Sequence, residues 1–340
     1  MSKSESVVVH AWYTKATWLY LLWPISLIYR LLSKCRRFAF THNVFKTHRV
    51  GAPVIVVGNI TVGGTGKTPL VIALVNYLKQ QGFQPGIVSR GYGGTGYHGT
   101  DPYPYLVTAD SSVTESGDEP LLMATQTQVP VVIDPVRPNA AEQLVQTYGC
   151  DVIVADDGLQ HYALGRDIEI IVIDGIRLLG NSLCLPAGPL RESKQRLNTV
   201  DFVISNGGSV TVETDTQQYR MLLQGDALVS MNTDSPQSIP SYDTSQVVHA
   251  VAGIGNPDRF FNTLRQLGFK LIEHRFADHH NYVAADLAFT DDLPIIMTEK
   301  DAVKVGRIGP PNNSWYLPVN AHIDDAFYSQ IVAKLPSVND

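Results

Sequence analysis

From residue 53 the chain alternates short β-branched runs with longer mixed segments. Pro53-Val-Ile-Val-Val57 is a continuous apolar run, the pattern of a strand buried on both faces, and it ends in Gly58 and a glycine-rich loop. Residues 67–81 then read as a helix stopped by Gly82. Further strands are predicted at 86–89, 129–134, 151–156, 168–174 and 200–205, with helices near 118–127 and 139–148. Strands alternating with helices predict βαβ units, hence an α/β fold whose mostly parallel sheet is flanked by helices. Residues 95–117, rich in Gly, Tyr, Ser and Asp, read as a long functional loop rather than a linker.

Around 206–246 the texture changes to Thr, Gln, Ser and Asp with little periodicity, which marks the passage into a second, smaller α/β unit. Its strands are expected near 248–253, 270–274, 294–298 and 315–319, and its helices near 257–267 and 324–334. The expected organisation is an N-terminal membrane-associated segment over 1–40 and a core domain over 41–210. The smaller domain then covers 211–310, and a strand and helix over 311–340 can return to the core.

Residues 16–29, ATWLYLLWPISLIY, form a mostly apolar stretch followed by Arg30, Lys34, Arg36 and Arg37. It is too short for a spanning helix, which needs about 20 residues. The strongly basic flank and the lack of a small-x-small cleavage site argue against a secretory signal peptide, and Lys34 before Cys35 against a lipoprotein signal. An interfacial helix fits better: Trp18, Tyr20, Trp23 and Tyr29 suit the headgroup level and the bases suit anionic lipid. The alternative is an amphipathic helix packed on the protein's own body.

Charge sharpens that picture. Residues 1–50 hold eight of the 26 Lys and Arg but one of the 32 acids, a balance of +7, so the remaining chain carries −13. A basic N-terminal element on an acidic body points to an anionic membrane surface and away from nucleic acid. At 44% hydrophobic and 17% charged, the composition is neither that of a disordered chain nor that of a multi-span membrane protein. Cys35, Cys150 and Cys184 are odd in number and far apart, so neither a disulfide framework nor a zinc site is implied and a reducing cytosol is expected. No obligate protein partner is evident.

The most specific motif is Thr61-Val62-Gly63-Gly64-Thr65-Gly66-Lys67-Thr68, after a buried strand and opening a helix. Successive backbone N–H groups and a helix N-terminus there form a cradle for nucleotide phosphates. Lys67 would reach the β- and γ-phosphates and the Thr68 hydroxyl would ligate Mg2+. The first position of the usual pattern is glycine, and here it is Thr61. Membrane-positioning ATPases carry a lysine where this chain has Val62. The Thr298-Glu-Lys-Asp301 run has one residue too many for the base-reading element of GTPases, so ATP is the expected nucleotide.

Val152-Ile-Val-Ala-Asp-Asp157 is an apolar strand ending in two carboxylates, which would emerge beside the phosphate loop. Asp156 and Asp157 are therefore candidates for holding Mg2+, directly or through water, although a strand ending in Asp is also an ordinary turn or cap. Gln160 and His161 follow in Gly-Leu-Gln-His, a candidate catalytic loop in which both are expected to contact substrate. Asp118 and Glu119 open a helix, where an N-cap is the plain reading, yet transfer to a hydroxyl needs a carboxylate to orient the nucleophile's proton. His279 or His280, in Asp278-His-His-Asn281, could pair with it. Arg90, after a strand, is a candidate phosphate clamp; Arg137 and the Arg191-Glu192 end of Leu185-Pro-Ala-Gly-Pro-Leu-Arg-Glu192 are candidates for an anionic substrate.

Taken in order, these stretches resemble the tetraacyldisaccharide 4'-kinase family, the lipid A 4'-kinases of Gram-negative bacteria. The resemblance covers about residues 12–304 and rests on GNITVGGTGKTP (58–69), SRGYGG (89–94), GDEP (117–120), DDGLQH (156–161), LPAGPLRE (185–192), DHH (278–280) and MTEKDAVK (297–304). Thr61 at the loop's first position fits this family. The resemblance implies a P-loop NTPase-like domain joined to a smaller α/β domain, with the active site in the cleft between them. It implies transfer of the ATP γ-phosphate to the 4'-hydroxyl of a membrane-embedded tetraacyldisaccharide 1-phosphate, at the cytoplasmic face of the inner membrane. Asp118 would be the catalytic carboxylate paired with His279, and Lys67 would contact the transferred group. Thr68, Glu119 and Asp157, with Asp156 close by, would form the Mg2+ sphere. Two other readings of a nucleotide loop remain: a membrane ATPase that couples hydrolysis to positioning, and a regulatory module with little catalysis.

Overall fold

The computed structural model describes all residues except 1–2, 93, 95–102, 209–210, 226, 234–235, 239–242 and 337–340. Residues 95–102 of the loop expected over 95–117 thus lie outside the described residues. The chain opens with helices α1 (Lys3–Thr14) and α2 (Trp23–Thr41). It continues through β1 (Val54–Gly58), α3 (Lys67–Gln80), β2 (Pro85–Ser89), β3 (Tyr105–Val107), α4 (Val113–Ser116) and α5 (Asp118–Thr127). Then come β4 (Val131–Ile133), α6 (Arg137–Tyr148), β5 (Val152–Asp156), β6 (Ile168–Asp174), β7 (Phe202–Asn206) and β8 (Gln218–Gln224).

These strands form one nine-stranded sheet in the order β15-β8-β7-β6-β1-β5-β2-β4-β3, where β15 is Asn320–His322. Its seven inner strands are parallel, and both edge strands, β3 and β15, run antiparallel to their neighbours. Successive side chains of a strand point to opposite faces, which splits the buried β1 run between two cores. Ile55 and Val57 pack with Leu70 and Leu74 of α3 and Leu121 of α5. Val54 and Val56 pack with Ala140 and Leu144 of α6 and with Leu159 and Leu164. Apolar residues on both sides explain why β1 reads as an unbroken hydrophobic stretch rather than an alternating one.

The second sheet has the order β10-β9-β14-β13-β11-β12. Its strands are β9 (Ala227–Ser230), β10 (Pro236–Ser238), β11 (Val247–Ala252), β12 (Lys270–Arg275), β13 (Ile295–Thr298) and β14 (Ser314–Leu317). Helices α7 (Pro257–Gln266) and α8 (Glu299–Val305) follow β11 and β13, and α9 (Asp325–Ala333) closes the chain. The boundaries differ from the sequence-based ones. Strand β8 pairs with β7, so the first sheet extends past residue 210. Strand β14 stays in the second sheet, and only β15 and α9 return to the first. Phe327 of α9 is fully buried against Phe202 and Tyr219, which anchors that return.

The N-terminal helices have two unlike sides. Their inner side packs on the body: Trp12 Nε1 donates to the Pro186 carbonyl at 3.1 Å, Ser26 Oγ to the Cys184 carbonyl at 2.7 Å, and Leu19 is buried. The outer side leaves Leu21, Ile25, Ile28, Leu31 and Leu32 exposed. Among the described residues no helix is long and apolar enough to cross a membrane.

Candidate active site

The loop between β1 and α3 is held from three directions. Its start is pinned by Val62 N, which donates to the Pro189 carbonyl at 2.9 Å, and by a bridge between Thr61 and Leu190. Asn59 Nδ2 donates to the Gly63 carbonyl at 3.3 Å, and Asn206 Nδ2, at the end of β7, to the Thr65 carbonyl at 2.9 Å. Gly66 has φ +92°, and a Cβ there would stand 2.2 Å from Asn206 Nδ2, so only glycine fits. The loop therefore opens α3 with Lys67 and Thr68 at its positive end.

Strand β5 delivers the two aspartates. Asp156 is buried; Ser89 Oγ donates to its Oδ2 at 3.3 Å, while Oδ1 is buried with no hydrogen-bond partner. Burial, then the negative charge of Glu119, pushes the Asp156 carboxyl up to about 7. Asp157 sits in the left-handed region at φ +47°, which turns its carboxylate toward two cations. Lys67 Nζ lies 3.4 Å from Oδ1 and the Arg191 guanidinium 3.2 Å from Oδ2. Burial raises the Asp157 carboxyl, but Lys67 and Arg191 outweigh it and hold the pKa below the ordinary value.

Asp118 is the first residue of α5 and is 3% exposed. His279, from the second unit, places Nδ1 at 3.0 and 3.1 Å from its two carboxylate oxygens. Lys300 and Lys304, both on α8, bring their ammonium groups to 3.7 and 3.8 Å from Asp118. Burial works to raise the Asp118 pKa, yet the His279 hydrogen bond and the two lysines bring it below the ordinary value. His279 is correspondingly raised, first by that hydrogen bond and against burial and Lys300. Lys300 also reaches Glu119 at 2.9 Å and Asp278 at 3.3 Å. His280 points elsewhere: it bonds Asp286 at 2.9 Å and stacks on Phe276.

The remaining expected residues divide by environment. Gln160 Nε2 donates to Glu192 at 2.8 Å and to the Asn59 carbonyl at 3.1 Å, and Tyr162 donates to Glu192, which is buried. These side chains brace the loop after β5 against the 185–192 stretch. Arg137 is almost wholly buried and donates to the Asp134 carbonyl at 3.1 Å. Burial lowers its guanidinium to about 10 against the opposing pull of Asp156 and Asp157. His161 is pushed down to about 4 by burial and by the positive charges of Arg137 and Arg90. Arg90 itself is exposed at the end of β2. Sequence reasoning gave no role to Lys300 and Lys304, which lie in MTEKDAVK (297–304), to Ser89, which opens SRGYGG (89–94), or to Asn206; two lysines four apart after a buried strand were the available signal for the first pair.

A cavity of about 220 Å3 joins the two units. Gly64, Gly66 and Thr68 of the loop, with Glu119, Asp278 and Lys300, line its polar part. Ile72, Leu223, Ile254, Phe260, Leu317 and Val319 line an apolar part suited to a flat ring. Among the described residues no three His, Cys, Asp or Glu side chains converge as a ready metal cage.

The sequence profile of the tetraacyldisaccharide-1-P 4'-kinase family, LpxK, matches residues 18–336. A tetraacyldisaccharide 4'-kinase from Hahella chejuensis is 45% identical over 333 residues, covering 96% of each chain. One from Ruthia magnifica is 49% identical over 316 residues, covering 93% of this chain and 97% of the relative. Among solved structures, LpxK from Aquifex aeolicus, crystallised in complex with ATP, superposes with a TM-score of 0.78 at 25% identity. That match covers 94% of this chain and 100% of the other.

Proposed function

The chain belongs to the tetraacyldisaccharide-1-P 4'-kinase family, which phosphorylates the 4'-hydroxyl of a tetraacyldisaccharide 1-phosphate in lipid A biosynthesis, and we propose that it does so in the cleft between its two sheets. The observation that carries this reading is the Asp118–His279 pair, closed at 3.0 Å across the two units, whose neighbours Glu119, Asp278 and Lys300 line the same cavity as Gly64, Gly66 and Thr68. In this reading the phosphate loop holds the phosphates of ATP and the apolar part of the cavity takes the adenine.

Asp118 receives or orients the proton of the attacking hydroxyl, since an ionised carboxylate is the acceptor such a transfer needs. Its lowered pKa keeps it ionised near neutrality. His279 fixes the carboxylate's direction. Lys300 neutralises Glu119 and Asp278, so that the acids around the cavity do not repel a polyphosphate. Lys67, drawn forward by Asp157, faces the transferred group. Arg90 and Arg191 offer positive charge to the substrate's own phosphate, and the buried Arg137 adds to that charge from beneath the surface.

The residues fit a Mg2+ ion. Asp156 presents a buried carboxylate oxygen without a partner and feels the charges of Glu119 and Asp157, and Glu119 and Thr68 line the same cavity. A site short of a complete protein cage suits Mg2+, which keeps waters and phosphate oxygens among its ligands. Asp156, Asp157, Glu119 and the Thr68 hydroxyl would hold it, and when bound it would neutralise charge on the phosphates.

The acceptor carries its acyl chains in a bilayer, and the exposed apolar side of α2 together with Arg30, Lys34, Arg36 and Arg37 on the same helix suits peripheral attachment to an anionic membrane. The cytoplasmic face of the inner membrane is the side supplied with ATP. The test is transfer of labelled γ-phosphate from MgATP to the acceptor in detergent micelles, comparing wild type with Asp118→Ala. Labelled lipid that falls about 10²-fold or more in the variant supports the reading. Lipid-independent ATP hydrolysis with no labelled acceptor overturns it in favour of a membrane ATPase.

A further inference from the structure

A second tie between the two units runs through residues that the proposed chemistry does not use. Arg259, on α7 of the second unit, donates to Asn206 Oδ1 at 2.5 Å. Asn206 is the last residue of β7 in the first sheet and is 1% exposed. Its Nδ2 donates in turn to the Thr65 carbonyl of the phosphate loop at 2.9 Å. The turn before α7 lies against the same loop, since a Cβ on Gly255 would stand 3.0 Å from Gly64 N.

An Asn amide has nearly the same shape when its oxygen and nitrogen exchange places, but the exchange swaps donor and acceptor. A guanidinium only donates, so Arg259 keeps Oδ1 on its own side and Nδ2 on the side of Thr65. With the amide turned over, two oxygens would face each other and the Thr65–Gly66 peptide would lose its anchor. Gly66 offers no steric resistance to such a rotation. The peptide concerned is the one before Gly66-Lys67, where loop N–H groups must face the phosphates.

We propose that Arg259 is a positioning residue for ATP: from the second unit it locks the Asn206 amide, and through it the Thr65–Gly66 peptide, in the orientation that lets the phosphate loop hold nucleotide phosphates. The inference rests on reading the cleft as the ATP site. It makes the quality of the phosphate cradle depend on the second unit being docked, a coupling separate from the Asp118–His279 pair.

The test uses the full chain and the variants Arg259→Gln, Asn206→Ala and the double variant. ATP affinity is measured by calorimetry and kcat/KM for ATP and acceptor in micelles. Each single variant is expected to lose about tenfold in kcat/KM for ATP, the scale of one hydrogen bond, with KM for the acceptor unchanged. The double variant is expected to lose the same tenfold, because both changes cut one relay. Asn206→Ala retains every charge, so an equal loss there separates the relay from simple electrostatic attraction by Arg259. Wild-type ATP parameters in folded Arg259→Gln overturn the proposal, and so does a roughly hundredfold loss in the double variant, which would mean independent roles. A wild-type protein that binds no ATP overturns the reading of the cleft together with this inference.

Discussion

His279 Nδ1 stands 3.0 Å from one carboxylate oxygen of Asp118 and 3.1 Å from the other, although the two residues are 161 positions apart in the chain. The contact exists because β12 ends at Arg275 and the following turn carries His279 in a left-handed conformation, φ +57°, over the start of α5. Such a conformation is uncommon for a residue with a Cβ, and here the surrounding contacts hold it.

Replacing Asp118 by Asn keeps the shape of the pair and removes its charge. The expected loss in kcat is about 10²-fold or more, because the hydroxyl loses its proton acceptor. The same variant has a readout on His279. Its pKa is raised chiefly by the Asp118 hydrogen bond, against burial and Lys300. In Asp118→Asn both contributions of Asp118 vanish, leaving only Asp278 to raise the imidazole against burial and Lys300, so His279 should titrate at lower pH than in wild type. Histidine titration followed by NMR checks this; an unshifted His279 would contradict the pairing.

Lys67 separates binding from chemistry. It is partly buried, with Asp157 at 3.4 Å, and in Lys67→Gln only Arg191 remains close to that carboxylate. Loss of a preorganised cation facing developing charge is expected to lower kcat by about 10² to 10³-fold. Single-turnover transfer with saturating ATP measures the chemical step directly, and a change confined to KM would assign Lys67 to ground-state binding alone.

Most of what positions this site was legible in the chain. The run at 168–174 is β6 to the residue, the helix expected over 67–81 ends one residue earlier, and Asp118 opens its helix as expected. These elements are buried or sharply bounded by glycine, so periodicity and punctuation report them. The two strands at the β15 end of the first sheet were not readable for the opposite reason. In β8, Gln-Tyr-Arg-Met-Leu-Leu-Gln mixes buried and exposed positions without clean alternation, and β15 has three residues with no pattern at all. Helix α8 spans only seven residues, too few to display a helical repeat, so Lys300 and Lys304 stood in the MTEKDAVK stretch with nothing to show which way they face. Arg259 has no motif around it to mark it, because what it touches is set by the tertiary packing of α7 against β7.

Glu299 supplies a stability prediction whose sign is unusual for a carboxylate. Burial pushes it from 4.5 up to about 7, against a hydrogen bond from Gln126. The folded state thus prefers the protonated form, and the penalty for ionising it is absent below pH 4.5 and complete above pH 7. Glu299→Gln removes that penalty while leaving an amide oxygen to accept from Gln126. The variant should gain on the order of 1–3 kcal/mol at pH 8, discounted for partial solvent access, and nothing at pH 4. Denaturant melts at the two pH values decide it. An equal gain at both would locate the effect outside ionisation.

The apolar side of α2 gives the last expectation. Ile28 and Leu32 lie one helical turn apart and are 61% and 64% exposed, so neither helps to hold the helix on the body. The inner side is fixed separately by the Ser26 bond to Cys184 and by the packing of Leu19. Changing both to Ser therefore leaves the fold in place while removing two side chains that a bilayer would bury. At about 1.5–3 kcal/mol for each buried side chain, partition to vesicles containing anionic lipid should fall by at least tenfold. Thermal stability should stay within a few degrees of wild type. Vesicle co-sedimentation with a parallel melt measures both, and unchanged partition in the folded variant would show that this face does not enter the membrane.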